Sequence, residues 1–432
     1  MTAIITQDMR IRNASNFIDT VASDSVYFFI GQSQPWGSSD TAVTDPVDTV
    51  YDQHLAQQKM IAAKKVAASD VTHAITRYNW VSGNTYAEYD DQSATLSSSQ
   101  FYVITDDLNV YKCIKAGAGA SVVKPTGTNY YISAVGADGY QWKYMYTLSG
   151  TQASKFLTNT FIPVTTLSSD DGSLQWDVQQ NAIDGGIHRI RVTNGGTGYS
   201  SSPTVTVDGN GTGCTATATV TGGVITDITV STNGSGYTAA LVTITDSTGS
   251  GATARAVVSP PGGHGADPVG ELGGFFMMAN VQLDGEEGSG DFPVDNDYRQ
   301  LGLVINPNNY GTSTTATATT LIATKSFSYT GLSGGSFSPD DTITGQTSGA
   351  IAYIDSVDDT NGIVRYHMEP GTGYGDFQAG ETVESGAVNA TIDTLTDPEV
   401  DKYSGEVIYI ENRSPVTRAA DQIEDVKLVL EF

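Results

Sequence analysis

One stretch of this chain is written twice. Ile187-x-x-Ile190-x-Val192 returns as Ile225-x-x-Ile228-x-Val230, and Gly198-Tyr199 returns as Gly236-Tyr237. Gly211-Thr-Gly213, followed by alternating Thr and Ala to Val220, returns as Gly249-Ser-Gly251 and its run to Val258. Tyr199 and Tyr237 set the period at 38 residues. A fixed period of that size marks a supersecondary unit that cannot bury its apolar face alone and stacks on a neighbour to do so. Each copy reads as strand, Gly-Tyr turn, strand, Gly-rich turn, strand. Two copies make a small β module, which Pro260-Pro261-Gly262-Gly263 closes as a linker.

The same chemistry runs through the rest of the chain. Of 432 residues 47 are glycine, and 16% are charged against about 25% in ordinary soluble domains. Recurrent Thr, Ser, Val and Ala favour short strands and tight turns over long helices. A second module carries Phe337-Ser-Pro-Asp-Asp-Thr-Ile343 and Gly349-Ala350, echoed by Phe377-Gln-Ala-Gly-Glu-Thr-Val383 and Gly386-Ala387. Asn361-Gly362 between them is a hairpin signal, because both residues tolerate positive φ.

Outside the modules, Phe17, Ile18 and Val21 predict a short helix over Asn13–Ala22, and Ser25–Ile30 predicts a strand. A second helix is expected from Asp45-Pro46 through Lys64 and Lys65, with Asp as cap and Pro at the first helical position. Phe101–Thr105 and Val110–Ile114 read as strands joined by Asp106-Asp107-Leu108-Asn109. Gln141–Leu148 reads as a strand with Trp142, Tyr144 and Tyr146 on one face. Strands are expected again at Phe275–Met278, Leu301–Ile305 and Val426–Phe432. The expected fold is mainly β with a minor helical share: a β-sandwich core with a few flanking helices and two inserted all-β modules. Its parts are 1–185 (core), 186–262 (repeat module), 263–324 (core strands), 325–397 (second module) and 398–432 (C-terminal core strands). Insertion at surface loops costs little, since loop-closure entropy grows slowly with length.

Charge and cysteines exclude several classes. With 48 acids against 21 bases the formal charge is -27, a surface that repels nucleic-acid backbones and leaves basic protein surfaces as docking partners. Cys113 and Cys214 form no C-x-x-C pair, and His54, His73, His188, His264 and His367 are scattered singly. No zinc site, disulfide framework or cofactor is expected. Reduced thiols fit folding in a cytoplasm. The segment Met1–Asp8 lacks a signal-peptide pattern, and no apolar run is long enough to enter a membrane.

Catalytic motifs are few. Gly331-Leu-Ser333-Gly-Gly335 matches G-x-S-x-G, yet Ser336-Phe337-Ser338-Pro339 follows where that motif needs a helix. The acidic stretch 284–297 supplies carboxylates suited to calcium but lacks the EF-hand pattern; it reads as a solvated loop, with calcium left open. Glu286 and Glu287 would serve a glycosidase only at a sugar-sized carboxyl spacing. Tyr199 and Tyr237 either pack turns or stack on sugars, with packing favoured. Trp36, after Pro35 in a turn-forming segment, either plugs its own core, the favoured reading, or anchors a partner.

Five segments carry a resemblance: Phe29–Ser39, Val110–Ile114, Asp138–Tyr146, Tyr298–Pro307, and Ser404–Pro415 running on through Asp421-Gln422 to Leu430-Glu-Phe432. Ile75–Trp80 is a weaker sixth. In this order they resemble the baseplate wedge protein of the gene product 8 family in T-even-like contractile-tailed bacteriophages. The two modules depart from that pattern and resemble decorations of phages of aquatic bacteria, cyanophages among them. The resemblance implies a non-enzymatic virion protein of the tail baseplate, assembled in the host cytoplasm. It implies a homodimer that contacts other wedge proteins and moves with the baseplate on contraction. The signature or interface residues it marks are Pro35, Trp36, Trp142, Tyr144, Arg299, Asn306, Pro307, Glu411, Asn412, Arg413 and Pro415. The rival expectations are a glycan- or receptor-binding tail protein and a polysaccharide hydrolase.

Overall fold

The computed structural model describes residues 3–37, 40, 42–284, 296–418 and 423–432. The fold is mainly β, with a few short helices. Two compact units divide the chain: Met1–Ser15, Thr72–Met278 and Val429–Phe432 form the first, and Asn16–Val71 with Ala279–Leu428 the second. The first helix spans Gln7–Ser23, longer than the predicted Asn13–Ala22.

In the first unit an antiparallel sheet joins Tyr102–Ile104, Asn109–Lys115 and Gln141–Thr147. The turn before Asn109 places Leu108 at φ 61°, a conformation uncommon for a residue with a Cβ. The expectation that Trp142, Tyr144 and Tyr146 share one face fails. Val110 pairs with Tyr146 but Tyr111 pairs with Tyr144, so a bulge skips Met145 and inverts the alternation beyond it. Trp142 and Tyr144 pack with Tyr86, Tyr111 and Tyr140, whereas Tyr146 joins Ile75, Val110 and Ile162 on the other side.

The repeat folds by exchange. Its first copy gives Ile187–Thr197, Thr204–Gly209 and Thr212–Thr221; its second gives Val224–Ser235, Ala240–Thr245 and Ser250–Val258. The first strand of each copy pairs with the third strand of the other, Ile190 opposite Ala256 and Ile228 opposite Ala218. The middle strands pair with each other, and the first strands meet at Ile190 and Ile228, one period apart. Antiparallel pairing of equivalent residues is the signature of a local two-fold, so the copies interlock where stacking was expected. Their shared core obeys the same period: Ile187 with Ile225, Ile190 with Ile228, Tyr199 with Tyr237, Ala218 with Ala256. A Cβ on Gly249 would lie 2.4 Å from Cγ of Tyr199, and one on Gly211 would lie 2.4 Å from Cγ of Tyr237. Glycine at those positions lets each ring lie flat on the backbone of the other copy.

In the second unit an antiparallel sheet runs in the order Thr320–Ile322, Met60–Lys65, Val26–Gly31, Asn296–Ile305, Glu406–Arg418. Strands from the front and the tail of the chain thus share one sheet. Phe29 lies opposite Gly302, where a Cβ would come 2.2 Å from the ring. The predicted helix from Asp45 to Lys65 is corrected. The helix spans only Val50–Gln58 and is capped by Thr49, whose side chain accepts from Asp52 N. Met60–Lys65 is a strand whose Met60, Ile61, Ala62 and Ala63 are all buried. Burial on both faces of a sheet outweighs the helix propensity of Ala and Lys.

The second module is a closed barrel in the order Lys325–Ser333, Ile363–His367, Ile351–Asp358, Thr342–Gly345, Thr382–Ser385, Val388–Thr396. Closure leaves no free edge. The echoed residues Phe337 and Phe377, and Ile343 and Val383, all enter its core. The Asn361-Gly362 signal marks a longer loop than a two-residue hairpin, since Asp358 pairs with Ile363 and its carboxylate accepts from Asn361 N at 3.0 Å.

Candidate functional site

The residues singled out from sequence fall in separate places. Most gather in the second unit, where Ser33, Trp36, Asp40 and Thr44 are bonded to the strands Asn296–Ile305 and Glu406–Arg418. Arg299, 2% exposed, binds Asp40 with two parallel contacts, Nε to Oδ1 at 2.7 Å and Nη2 to Oδ2 at 2.9 Å. It also donates to Ser33 O and, at 3.2 Å, to Asp297. That hydrogen-bonded guanidinium holds the Asp40 carboxyl below the usual carboxylate range. Trp36 is half-buried, and its Nε1–H donates to Arg413 O at 2.9 Å. It is therefore tied to its own chain, while also lining a shallow cleft with Pro46, Leu55, Ile410 and Asn412. Asn412 accepts from Gln300 Nε2 at 2.7 Å and donates to Thr44 O at 2.8 Å. Glu411 accepts from the Tyr409 hydroxyl and lies 3.6 Å from Arg413. Pro35 and Pro415 are half-buried beside them in sequence.

Asn306 and Pro307 do a different job. Asn306, at φ 50°, accepts from Ser25 N at 3.0 Å and donates to Asp24 at 2.8 Å, locking the entry to strand Val26–Gly31; Pro307 is buried. Trp142 and Tyr144 belong to the first unit and are buried. Trp142 stacks on Tyr140 at 5.8 Å beneath the long connection between Asn109–Lys115 and Gln141–Thr147. A cleft of about 180 Å³ opens there, lined by Tyr111, Tyr131, Trp142 and Tyr144.

The G-x-S-x-G motif and the two turn tyrosines have other roles in the geometry. Gly331-Leu332-Ser333 ends the barrel strand Lys325–Ser333, and Gly334 and Gly335, both at positive φ, bend the chain onward with no helix following, so G-x-S-x-G is a strand end and not a nucleophile elbow. Ser333 Oγ donates to Asn389 at 2.8 Å. Tyr199 is 7% and Tyr237 3% exposed; their hydroxyls accept from Ala252 N at 3.0 Å and Cys214 N at 3.4 Å, so they are core residues. Both cysteines are free, and burial pushes the Cys113 thiol well up. Glu286, Glu287 and most of the acidic stretch 284–297 lie outside the described residues. Among the described residues no group of three or more His, Cys, Asp or Glu is placed to hold a metal ion, and no helix is long and apolar enough to cross a membrane.

Two constellations escaped the sequence reading. The repeat module contains three basic residues, Arg189, Arg191 and Arg255, and all three reach one acidic stretch of the first unit. Arg189 and Arg191 meet Glu88 at 3.4 and 3.0 Å, and Arg255 meets Asp90 at 2.6 Å and Asp91 at 2.8 Å. Glu88-Tyr-Asp90-Asp91 thus holds the module in place. The second constellation is basic. His188 and His264, far apart in sequence, bring their rings to 5.2 Å beside Lys143. Local spacing carries no trace of either; the only sequence signal was the scarcity of bases in the module.

Comparison with known proteins matches residues 376–432 to the family model described as Bacteriophage T4, Gp8. The matched stretch begins inside the barrel and takes in Thr382–Ser385, Val388–Thr396, the sheet strand Glu406–Arg418 with Glu411, Asn412, Arg413 and Pro415, and the final strand. No curated protein matches the chain.

Proposed function

We propose that this chain is a structural, non-catalytic subunit of a phage-tail baseplate wedge, of the gene product 8 type. The match of residues 376–432 to that family carries the reading. It supports a place in the virion tail and contacts with other baseplate proteins. The finer reading is a homodimer, assembled in the host cytoplasm, that links neighbouring wedge proteins and moves with them on contraction. Compact β units with cores of their own suit movement as bodies about protein interfaces. The half-exposed Trp36, Glu411, Asn412, Arg413 and Pro415 line up along the edge strand Glu406–Arg418 and its strap, an arrangement suited to being gripped by a partner. The modules 186–262 and 325–397 read as insertions that project from this scaffold. The test is virion assembly without this chain, joined to sedimentation of the purified protein. Tails lacking complete baseplates and a dimer at micromolar concentration are expected. Normal baseplates, or a monomer throughout, would remove the reading.

A second reading has one observation behind it. In the second unit a cleft of about 220 Å³ is ringed by Tyr310, Tyr374 and Tyr403, the last two 53% and 64% exposed. Exposed tyrosines around a cleft can stack on sugars. A glycan array that finds saturable binding, abolished by Tyr374→Ala, would favour a glycan-binding tail protein; no binding leaves the structural role alone.

A further inference from the structure

The basic constellation of the first unit surrounds an open pocket of about 280 Å³, lined by Lys143, His188, His264, Gln141, Asn181 and Asn233 among others. It lies where the two ends of the repeat module meet the sheet. Below it Lys112 is buried, its Nζ 2.7 Å from Glu271 and 4.0 Å over the Tyr89 ring. Glu271, the carboxylate that acts on Lys143, is already committed: one oxygen holds Lys112, the other accepts from Gly265 N at 2.6 Å and Asp267 N at 3.2 Å. Among the described residues Lys143 donates only to the carbonyl of Tyr130. His264 is 3% exposed, and its Nδ1 has no hydrogen-bond partner among the described residues. Two lysines and two histidines therefore gather around one satisfied carboxylate, inside a chain of net charge -27.

Such an arrangement is costly as it stands. A buried polar nitrogen without a partner and a buried ammonium facing only a carbonyl each lose solvation that nothing restores. Burial first, with repulsion from Lys112 added, pushes Lys143 down to about 8 despite Glu271. Burial, Lys143 and Lys112 push His188 down to about 4, and His264 is held well below its ordinary value by burial, Lys112, His188 and Lys143. An anion in the pocket would reverse all three effects. Lys143 would gain a charged acceptor and His264 Nδ1–H a partner; Gln141 and Asn181, whose amides already donate once, to Ser133 O and Asp177 O, each keep a second N–H beside the Asn233 amide.

We propose that this pocket is a binding site for a small oxyanion, a carboxylate or a sulfate- or phosphate-type group, held by Lys143 and His264. The site is independent of the baseplate reading, because it rests on one unit's own interior. The test is calorimetric titration of the full chain, in low-salt buffer, with sulfate and with acetate. Sulfate keeps its charge between pH 7 and 9.5, so the loss of the Lys143 proton alone should weaken its binding about thirtyfold over that range. Lys143→Met should weaken binding at pH 7 at least tenfold. Because that variant touches a buried position, the wild-type Lys143 side-chain resonances provide a second reading: their titration midpoint should rise when sulfate is bound. Tighter binding of sulfate than acetate assigns the pocket to sulfate- or phosphate-bearing ligands, and the reverse to carboxylates. Absence of saturable binding by the wild type at millimolar anion, or a Lys143 midpoint that does not move, overturns the proposal.

Discussion

Tyr199 and Tyr237 offer the sharpest test of the repeat module, because the two-fold demands that they behave alike. Each ring lies on one glycine of its own copy and one of the other, Gly196 and Gly249 for Tyr199, Gly234 and Gly211 for Tyr237. Each hydroxyl accepts a backbone N–H of residues one period apart, Ala252 and Cys214. Truncating a buried aromatic to alanine costs about 3–5 kcal/mol, and no neighbouring side chain can swing into the space above a glycine. Replacement by phenylalanine keeps the packing and forfeits one hydrogen bond, about 1 kcal/mol. Tyr237→Phe should cost no more than Tyr199→Phe, since its contact is longer, at 3.4 Å against 3.0 Å. The double alanine variant, at roughly 6–10 kcal/mol, falls in the range of a whole domain's stability and should unfold the module alone. Hydrogen exchange of amides in 187–258 under increasing urea reads the module separately from the rest. A loss under about 1 kcal/mol for Tyr199→Ala would show that the ring is not a core element and would revive a surface role for it. A large inequality between the two alanine variants would break the equivalence.

Three further outcomes follow from the geometry. Burial alone would raise the Asp90 carboxyl, but hydrogen bonds from Gln92 N and Arg255 and the charges of Arg255 and Arg191 hold it below its ordinary value. Its contribution is therefore complete above the ordinary carboxylate range and lost as pH falls through the lower folded value; Asp90→Asn should cost about 1–2 kcal/mol at pH 7 and almost nothing in acid, and an equal cost at both pH values in urea titrations would refute the dock. Gly302→Ala should destabilise by about 1–3 kcal/mol, since the new Cβ meets Phe29 at 2.2 Å and Tyr409 O at 2.6 Å; a double-mutant cycle with Phe29→Leu should recover part of the loss, and strict additivity would count against the contact. Deleting 187–258 should leave the remainder melting cooperatively, because Ile187 pairs with Val258 and Ser259 N donates to Gly186 O at 3.0 Å, so the cut ends already lie together; calorimetry showing no transition would make the module part of the core.

Much of the fold was legible where a residue type has only one use. The Gly-Tyr pairs at a fixed period announced the repeat: Gly198 and Gly236 turn the chain at φ 74° and 73°, while the rings lie on other repeated glycines, Gly249 and Gly211. The strand signals at Val26–Gly31, Asn109–Lys115 and Gln141–Thr147 held, since unbroken burial of β-branched and aromatic residues admits few alternatives. What sequence hid was set by partners distant in the chain. Met60–Lys65 looks helical until its place between two strands is known. The phase error at Tyr146 came from a bulge, and a bulge leaves no mark in the alternation until its opposite strand is placed. Trp36 looked like a choice between plug and anchor; its indole N–H bonds Arg413 O, some 377 positions away, while its flank stays partly open. The pairing of His188 with His264 depended on the module's ends meeting, which periodicity alone does not state.

The distribution of bases bears on what the molecule can hold outside itself. Arg189, Arg191 and Arg255 dock the repeat module, Arg299 staples the strap, Lys112 pairs with Glu271, and Arg418 is buried against Glu424 at 2.8 Å. Each of these cations is neutralised within its own fold, and together they come from a total of only 21. Removing neutralised pairs leaves the formal charge at -27 but concentrates it, since the acids that remain are not matched by an equal reserve of surface bases. The solvent-facing field is therefore more one-signed than the composition suggests, and copies of this chain repel one another except where a packed, uncharged contact overcomes it. Partners that bind by charge must then present basic faces, and their association rates must fall steeply with salt, while a self-association built on the Glu406–Arg418 edge should strengthen as salt screens the repulsion. Opposite salt dependence of the two kinds of contact is the physical consequence of using bases as internal ties in an acidic protein.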